Sequence, residues 1–109
     1  MRGVYKCCDS NGEVVYIGST SLSLNRLEYN HRNWQQKGYS RTKFRSNLDD
    51  SHTFSWLLMP RDIPVWHNEI EEGALIRAFR PKYNISMFPF ERSVNEGRYK
   101  MPTAEGYMQ

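Results

Sequence analysis

The stretch GVYKCCDSNGEVVYIG, residues 3–18, decides the fold of this 109-residue chain. Two strand-like runs flank Asp9–Gly12, whose Asp, Ser, Asn and Gly are typical turn formers. This order predicts an antiparallel β-hairpin. With a four-residue loop, Cys8 pairs with Glu13, and counting back from that pair sets the register of both strands.

Two tyrosines converge in this hairpin. Tyr5 falls directly opposite Tyr16, at the spacing of roughly 5 Å that facing residues on one side of a sheet adopt. A register shifted by two residues keeps both on that face, whereas a shift of one separates them. The pair is either a packing contact or part of a site. Gly3 and Gly18 favour a site, because glycine in a strand often marks the close approach of a backbone or a ligand.

The composition predicts one small domain that is not secreted. The net charge is +3 and the pI about 9.0, which permits nucleic-acid binding. No apolar run reaches the roughly 20 residues that cross a bilayer, and no signal peptide is recognisable. Cys7 and Cys8 are adjacent and poorly placed for a mutual disulfide, which indicates a reducing compartment. The three histidines lack the spacing of a zinc site.

Helical spacing follows over about residues 22–37, where Ser19–Ser23 offers N-caps and Gly38 a C-cap. Arg26 lies about 100° around the helix from the apolar stripe and therefore at its edge. The stripe itself is formed by Leu24, Leu27, His31 and Trp34.

A basic segment overlaps this helix and continues to residue 45, with Glu28 as its one acid. It is either a solvated face or a surface for phosphate, and its local charge density favours phosphate contact. Its basic residues are Arg26, Arg32, Lys37, Arg41, Lys43 and Arg45.

Alternation over His52–Met59 predicts a third strand that ends at Pro60. Phe54, Trp56 and Leu58 are expected on one of its sides. A second helix is predicted from about Pro64 to about Phe79, and Pro81 stops it.

Glu72 continues the apolar stripe of this second helix toward the N-terminus. A carboxylate on a buried helix face is costly unless it is paired or holds a metal. Glu72 is therefore either the half-exposed end of the stripe or a functional ligand, whereas Glu69 and Glu71 are expected on the solvated flanks. The stripe residues are Leu75, Ile76 and Phe79.

The ordered set of Gly3–Tyr5, Tyr16–Gly18, Arg26 and Glu72–Asn84 resembles the GIY-YIG nuclease family, over roughly residues 3–85. That family includes homing endonucleases, some restriction enzymes, the nuclease half of a bacterial excision-repair subunit and small phage enzymes. The resemblance implies an α/β (α+β) fold, in which a three-stranded antiparallel sheet that begins with the hairpin is flanked by helices.

The resemblance also implies a role for each matching residue. Tyr5 would be the general base that takes a proton from the attacking water, and Tyr16 would orient the water or phosphate beside it. Arg26 would donate charge-assisted hydrogen bonds to the scissile phosphate. Glu72 would be the single protein ligand of Mg²⁺ or Mn²⁺. Asn84 would support the site.

One position departs from the family pattern. The family often places a histidine or tyrosine four residues after the arginine, and this chain has Asn30 there, between Tyr29 and His31. His31 is the favoured substitute, with Tyr29 or an empty role as alternatives. Because His31 falls on the apolar stripe, it is also a candidate core histidine.

The resemblance implies metal-dependent hydrolysis of DNA phosphodiester bonds, in the cytoplasm of a bacterium or of an infected host cell. The predicted core is residues 1–85, with residues 86–109 packing on it as an extension whose last residues are loose. The alternatives are an inactive nucleic-acid-binding module of the same fold and a protein-interaction domain. The DNA is double-stranded or branched, and a second copy or a targeting protein is a further expected partner. DNA contact is expected at Gly18, Lys37, Arg41, Lys43 and Arg45.

Overall fold

The computed structural model describes residues 1–33 and 42–84, without the side chains of Thr42 and Lys43. Three antiparallel strands form one sheet in the order β2-β1-β3, which confirms the predicted fold class. No helix in these two ranges is long and apolar enough to span a membrane. The elements are β1 (Arg2–Cys8), β2 (Val14–Thr20), α1 (Leu24–Arg32), α2 (Thr42–Ser46), β3 (Thr53–Arg61) and α3 (Val65–Phe79).

The hairpin forms, but its register differs by two residues from the predicted one. Tyr5 pairs with Gly18, not with Tyr16. The reason is the loop, in which the Asp9 carboxylate accepts hydrogen bonds from the backbone N–H groups of Asn11 (2.9 Å) and Glu13 (3.0 Å). These bonds draw Glu13 into the loop, and a bulge follows where the register shifts next to Cys7. Because the error is two residues, both tyrosines still share one face.

Two apolar clusters cover opposite faces of the sheet, because successive strand residues point to opposite sides. The first cluster, here the tyrosine cluster, lies under α1 and α2 and consists of Tyr5, Cys7, Val15, Tyr16, Leu27 and Phe44. On the other face, Ile76 of α3 packs against Val4 and Ile17. Burial raises the pKa of the Cys7 thiol to about 12, so this side chain stays neutral and packs as a small apolar group.

Strand β3 runs through Pro60 to Arg61, so the prediction that Pro60 ends it is wrong. Proline is tolerated there because β3 is an edge strand, whose outer N–H groups have no strand partner. The predicted side of Leu58 is also wrong. The register with β1 shifts between the Val4–Leu58 and Tyr5–Trp56 pairs, and this bulge turns Leu58 toward the Ile76 face while Trp56 stays with the tyrosines.

Helix α1 begins after Ser23, one of the predicted caps, whose hydroxyl accepts a hydrogen bond from the N–H of Arg26 at 3.3 Å. The helix ends at Arg32, before the predicted end, and the N–H of Asn33 closes it on the carbonyl of Tyr29 at 2.9 Å. Trp34, Lys37 and Gly38 lie outside the described residues. Helix α2 was not predicted, because five residues are too few to show a helical period.

Helix α3 matches the prediction closely, from Pro64 as its N-cap to the left-handed C-cap Arg80 with φ 48°. Glu72 is buried on its inward face, so the alternative of a half-exposed end of the stripe is wrong. The solvated position predicted for Glu69 is wrong: this residue is seven positions, and thus nearly two full turns, before Ile76, and it is buried on the same face. Phe79, predicted in the stripe, is exposed at the end of the helix.

Candidate active site

Tyr5 and Tyr16 lie side by side in the tyrosine cluster, with ring centroids 6.2 Å apart. The Tyr5 side chain passes directly over Gly18, its strand partner. A Cβ at Gly18 would lie 2.4 Å from the Tyr5 hydroxyl oxygen and 2.5 Å from Cζ. The glycine therefore does admit a close neighbour, as the sequence suggested, and that neighbour is the Tyr5 side chain.

His31 is both a buried core residue and a direct partner of Tyr5, so the two alternatives from the sequence describe the same side chain. Its Nε2 lies 3.0 Å from the Tyr5 hydroxyl oxygen, and its ring is 2% exposed. Tyr29, the other candidate for the auxiliary position, is 58% exposed. The geometry favours His31 for that position.

The short helix α2 covers the two tyrosines. Phe44 is buried and stacks on Tyr16, with ring centroids 4.0 Å apart and planes at 12°. It also meets the edge of the His31 ring at 5.2 Å. Sequence reasoning missed Phe44, although an aromatic residue amid the basic residues 41–45 is the kind of signal that marks a buried anchor.

Asn84 binds the backbone of β2 between Tyr16 and Gly18. Its side-chain oxygen accepts from the N–H of Ile17 at 2.9 Å, and its side-chain nitrogen donates to the carbonyl of Ile17 at 2.8 Å. The N–H of Tyr83 donates to the carbonyl of Val15 at 3.0 Å, which extends the same edge. Asn84 thus holds β2 at Ile17, between Tyr16 and Gly18.

We expect Asn84→Ala to lower the free energy of unfolding by about 1–3 kcal/mol, because both polar groups of Ile17 lose their partner. Urea unfolding of the full chain measures this change. Asn25→Ala, on the exposed face of α1, is the matched control and should leave stability within about 0.5 kcal/mol. An Asn84→Ala midpoint equal to that of the wild type would contradict the supporting role of this side chain.

The basic residues divide into different environments. Arg26 is exposed at the start of α1, with its guanidinium 5.8 Å from the ring centroid of Tyr29. Arg32 instead joins α1 to the loop before β3, donating to the carbonyls of Asp49 and His52 at 2.8 Å each. Arg32 is therefore engaged by the protein itself. Lys37, Arg41 and the side chain of Lys43 lie outside the described residues, and their predicted DNA contacts stay predictions.

Arg45, also predicted to contact DNA, lies in α2 next to Phe44. Its Nε donates to Nδ1 of His31 at 3.0 Å. No spacing in the sequence indicated this contact, since the two residues are 14 positions apart and on different helices.

Glu72 is 5% exposed on the inward face of α3, one turn before Ile76. Within the described part of the chain, no group of three or more His, Cys, Asp or Glu side chains is placed to hold an ion. A single carboxylate nevertheless fits a hard divalent cation such as Mg²⁺, which keeps several waters and binds through one or two carboxylates.

Comparison with known proteins identifies the class to which this fold and this site belong. A family model described as the GIY-YIG catalytic domain matches residues 1–84. The chain belongs to the GIY-YIG family and carries an endonuclease domain of that family, which confirms the resemblance stated from the sequence.

Two similar curated proteins share the name UvrABC system protein C. The chain is 30% identical over 83 residues to UvrABC system protein C of Clostridium novyi and 29% identical to that of Francisella tularensis subsp. holarctica. Each match covers 76% of this chain and 12% of the relative, so the chain spans about an eighth of the length of these proteins.

A solved structure shares the fold. It is the GIY-YIG N-terminal endonuclease domain of UvrC from Thermotoga maritima, a point mutant bound to its catalytic divalent cation. The similarity has a TM-score of 0.50 at 25% identity and covers 78% of this chain and 83% of that one.

Proposed function

We propose that this domain hydrolyses phosphodiester bonds in DNA, with Tyr5 as the general base and with a divalent cation held by Glu72. The observation that carries the proposal is the contact between the Tyr5 hydroxyl and His31 Nε2 at 3.0 Å, beside Tyr16, in a chain of the GIY-YIG family.

Each side chain has a defined task in this proposal. Tyr5, as a phenolate that has lost its proton to solvent, takes one proton from a water molecule. The water oxygen bonds to phosphorus while the bond from phosphorus to the 3′ oxygen breaks, and the 3′ oxygen takes a proton from solvent. Tyr16 orients the water or phosphate. Arg26, exposed at the start of α1, donates to the phosphate oxygens as their negative charge rises. Asn84 keeps Tyr16 and Gly18 in place through Ile17.

Glu72 supplies the carboxylate for the cation. The relative from Thermotoga maritima binds a catalytic divalent cation, which supports a cation here, and we propose Mg²⁺ or Mn²⁺. Such an ion, when bound, neutralises phosphate charge and makes water more acidic. The carboxylate is suited to this because it is a hard oxygen ligand presented by a 15-residue helix.

The exposure of the arginines indicates how the domain would contact DNA. Exposed and partly exposed arginines at the start of α1 and in α2 suit the phosphate backbone more than base edges, so we propose DNA recognition with little sequence specificity. Preference for a branched DNA, a second copy of the chain, or a targeting protein would then supply selectivity. The assignment of residues 86–109 as an extension of the core remains a prediction, because they lie outside the described residues.

Incubation of supercoiled plasmid and of a branched DNA with the purified chain tests the proposal. We expect nicking with Mg²⁺ or Mn²⁺, none with EDTA, and none with Tyr5→Phe, which keeps the ring and removes the base. Gel shift without cleavage in any metal would instead establish the inactive nucleic-acid-binding module. Neither binding nor cleavage would leave the protein-interaction alternative.

A further inference from the structure

Three side chains form a hydrogen-bonded series that begins at the surface helix α2 and ends at Tyr5. Arg45 Nε donates to His31 Nδ1, and His31 Nε2 meets the Tyr5 hydroxyl oxygen, each at 3.0 Å. The imidazole is enclosed by rings, with centroids of Phe44 at 5.2 Å, Tyr5 at 5.9 Å and Phe54 at 5.9 Å. His31 therefore has little freedom to rotate away from either partner.

The donor properties of arginine determine where the proton of His31 lies. The guanidinium stays protonated in proteins and offers donors without an acceptor, so the nitrogen facing Nε must accept. Nδ1 of His31 therefore carries a lone pair and no proton. A neutral imidazole has one N–H, which must then lie on Nε2, and Nε2 donates to the Tyr5 oxygen.

We infer that Arg45 is a positioning residue, which holds His31 in the Nε2–H tautomer and so keeps a hydrogen-bond donor aimed at the Tyr5 oxygen. That oxygen gathers negative charge when Tyr5 loses its proton, and a donor aimed at it favours this charged form. Because Nε2 already carries a proton, His31 supports Tyr5 as a donor and does not take its proton. The catalytic meaning of this inference rests on the proposed function of Tyr5, whereas the tautomer itself does not.

Phe44 explains how a surface arginine acquires this role. Its buried ring stacks on Tyr16, with ring centroids 4.0 Å apart, and anchors α2. The next residue, Arg45, therefore lies beside Nδ1 of His31, the ring nitrogen that does not contact Tyr5. Arg45 is half-buried, which lowers the competition from water for its Nε. DNA contact by the rest of the guanidinium is compatible with this bond, since the terminal nitrogens are separate donors.

The test uses the ¹⁵N-labelled full chain and long-range ¹H–¹⁵N correlation spectra of its three histidines, with His31→Gln to assign the signal of interest. We expect the wild type to show His31 as the Nε2–H tautomer at neutral pH. Arg45→Lys keeps the charge but places a methylene where Nε stood, and we expect its spectrum to lose the single tautomer. The kcat for DNA cleavage should fall about tenfold, as for one lost hydrogen bond, with KM nearly unchanged.

Arg61→Lys is the matched control. Arg61 lies at the end of the edge strand β3 and pairs with Glu71 of α3. It should alter neither the His31 spectrum nor kcat. An Nδ1–H tautomer or an imidazolium in the wild type would overturn the inference, and so would an Arg45→Lys variant with unchanged spectrum and kcat. A wild type that shows the Nε2–H tautomer but cleaves no DNA would refute the proposed function and with it the contribution of Arg45 to catalysis. The same result would confirm that Arg45 determines which ring nitrogen of His31 carries the proton.

Discussion

Glu72→Gln is expected to abolish DNA cleavage while leaving DNA affinity and the fold almost unchanged. Glutamine has nearly the same volume as glutamate and keeps one oxygen acceptor, so the packing of the inward face of α3 is preserved. What disappears is the negative charge that would hold a divalent cation. Transition-state stabilisation by such a cation amounts to several kcal/mol, so the rate should fall by at least about a thousandfold.

Stability separates this effect from a folding defect. The urea midpoint of Glu72→Gln is measured beside its activity, and a variant that is folded at the assay temperature but does not cleave DNA has lost chemistry and not the fold. Titration with Mn²⁺, followed by its paramagnetic signal, should show weaker binding in the variant independently of any cleavage assay.

Glu69→Gln provides the control within the same helix. Glu69 is also buried and lies three residues before Glu72, so the substitution removes a second carboxylate from the same face. We expect this variant to cleave DNA and to bind Mn²⁺ like the wild type. Cleavage by Glu72→Gln at the wild-type rate, or an equal loss in both variants, would contradict the assignment of Glu72 as the specific ligand.

The sheet and its two long helices were predictable because their signals are local. The alternation in β3, the turn residues 9–12 and the helical spacing before Pro81 all act within a few positions. The hairpin register was not predictable, since it depends on side-chain hydrogen bonds of Asp9 that draw Glu13 into the loop. The bulge opposite Val4, which reverses the side of Leu58, likewise has no local signal.

The candidate site likewise has features that the sequence predicts and features that it does not. The tyrosine pair follows from strand alternation, and the alignment of Glu72 with the apolar stripe of α3 follows from helical periodicity. The series from Arg45 through His31 to Tyr5 does not, because it joins three elements whose mutual placement only the packed core determines. Phe44 anchors the helix that carries Arg45, but this helix is too short to produce a helical pattern in the sequence.

Gly18→Ala is the second substitution from which we expect a large effect. The new Cβ would lie 2.4 Å from the Tyr5 oxygen, 2.5 Å from Cζ and 2.8 Å from Cε1, all closer than atoms in contact allow. The Tyr5 ring cannot simply swing aside, because the rings of His31, Tyr16 and Phe54 surround it with centroids at 5.9–6.3 Å. We expect the Tyr5 oxygen to leave His31, stability to fall by about 1–3 kcal/mol, and cleavage to be lost.

Gly3→Ala distinguishes this local effect from general destabilisation. Its Cβ would lie 2.8 Å from Trp56 Cζ3 and 2.9 Å from the carbonyl oxygen of Leu58, so the strain is comparable but falls away from the Tyr5 hydroxyl. At temperatures where both variants are folded, Gly3→Ala should still cleave DNA and Gly18→Ala should not. If both retain cleavage, the position of the Tyr5 oxygen is not critical and its role as base fails.

A double-mutant cycle identifies the clash itself. In a Tyr5→Ala background the space above Gly18 is empty, so adding Gly18→Ala should change the free energy of unfolding by much less than it does in the wild type. Urea unfolding of the four proteins measures this coupling, which we expect to be about 1–2 kcal/mol. Equal losses in both backgrounds would mean that Gly18 is required for its backbone alone. Unimpaired DNA affinity in Gly18→Ala would further show that this glycine acts by making room for the tyrosine and not by touching DNA.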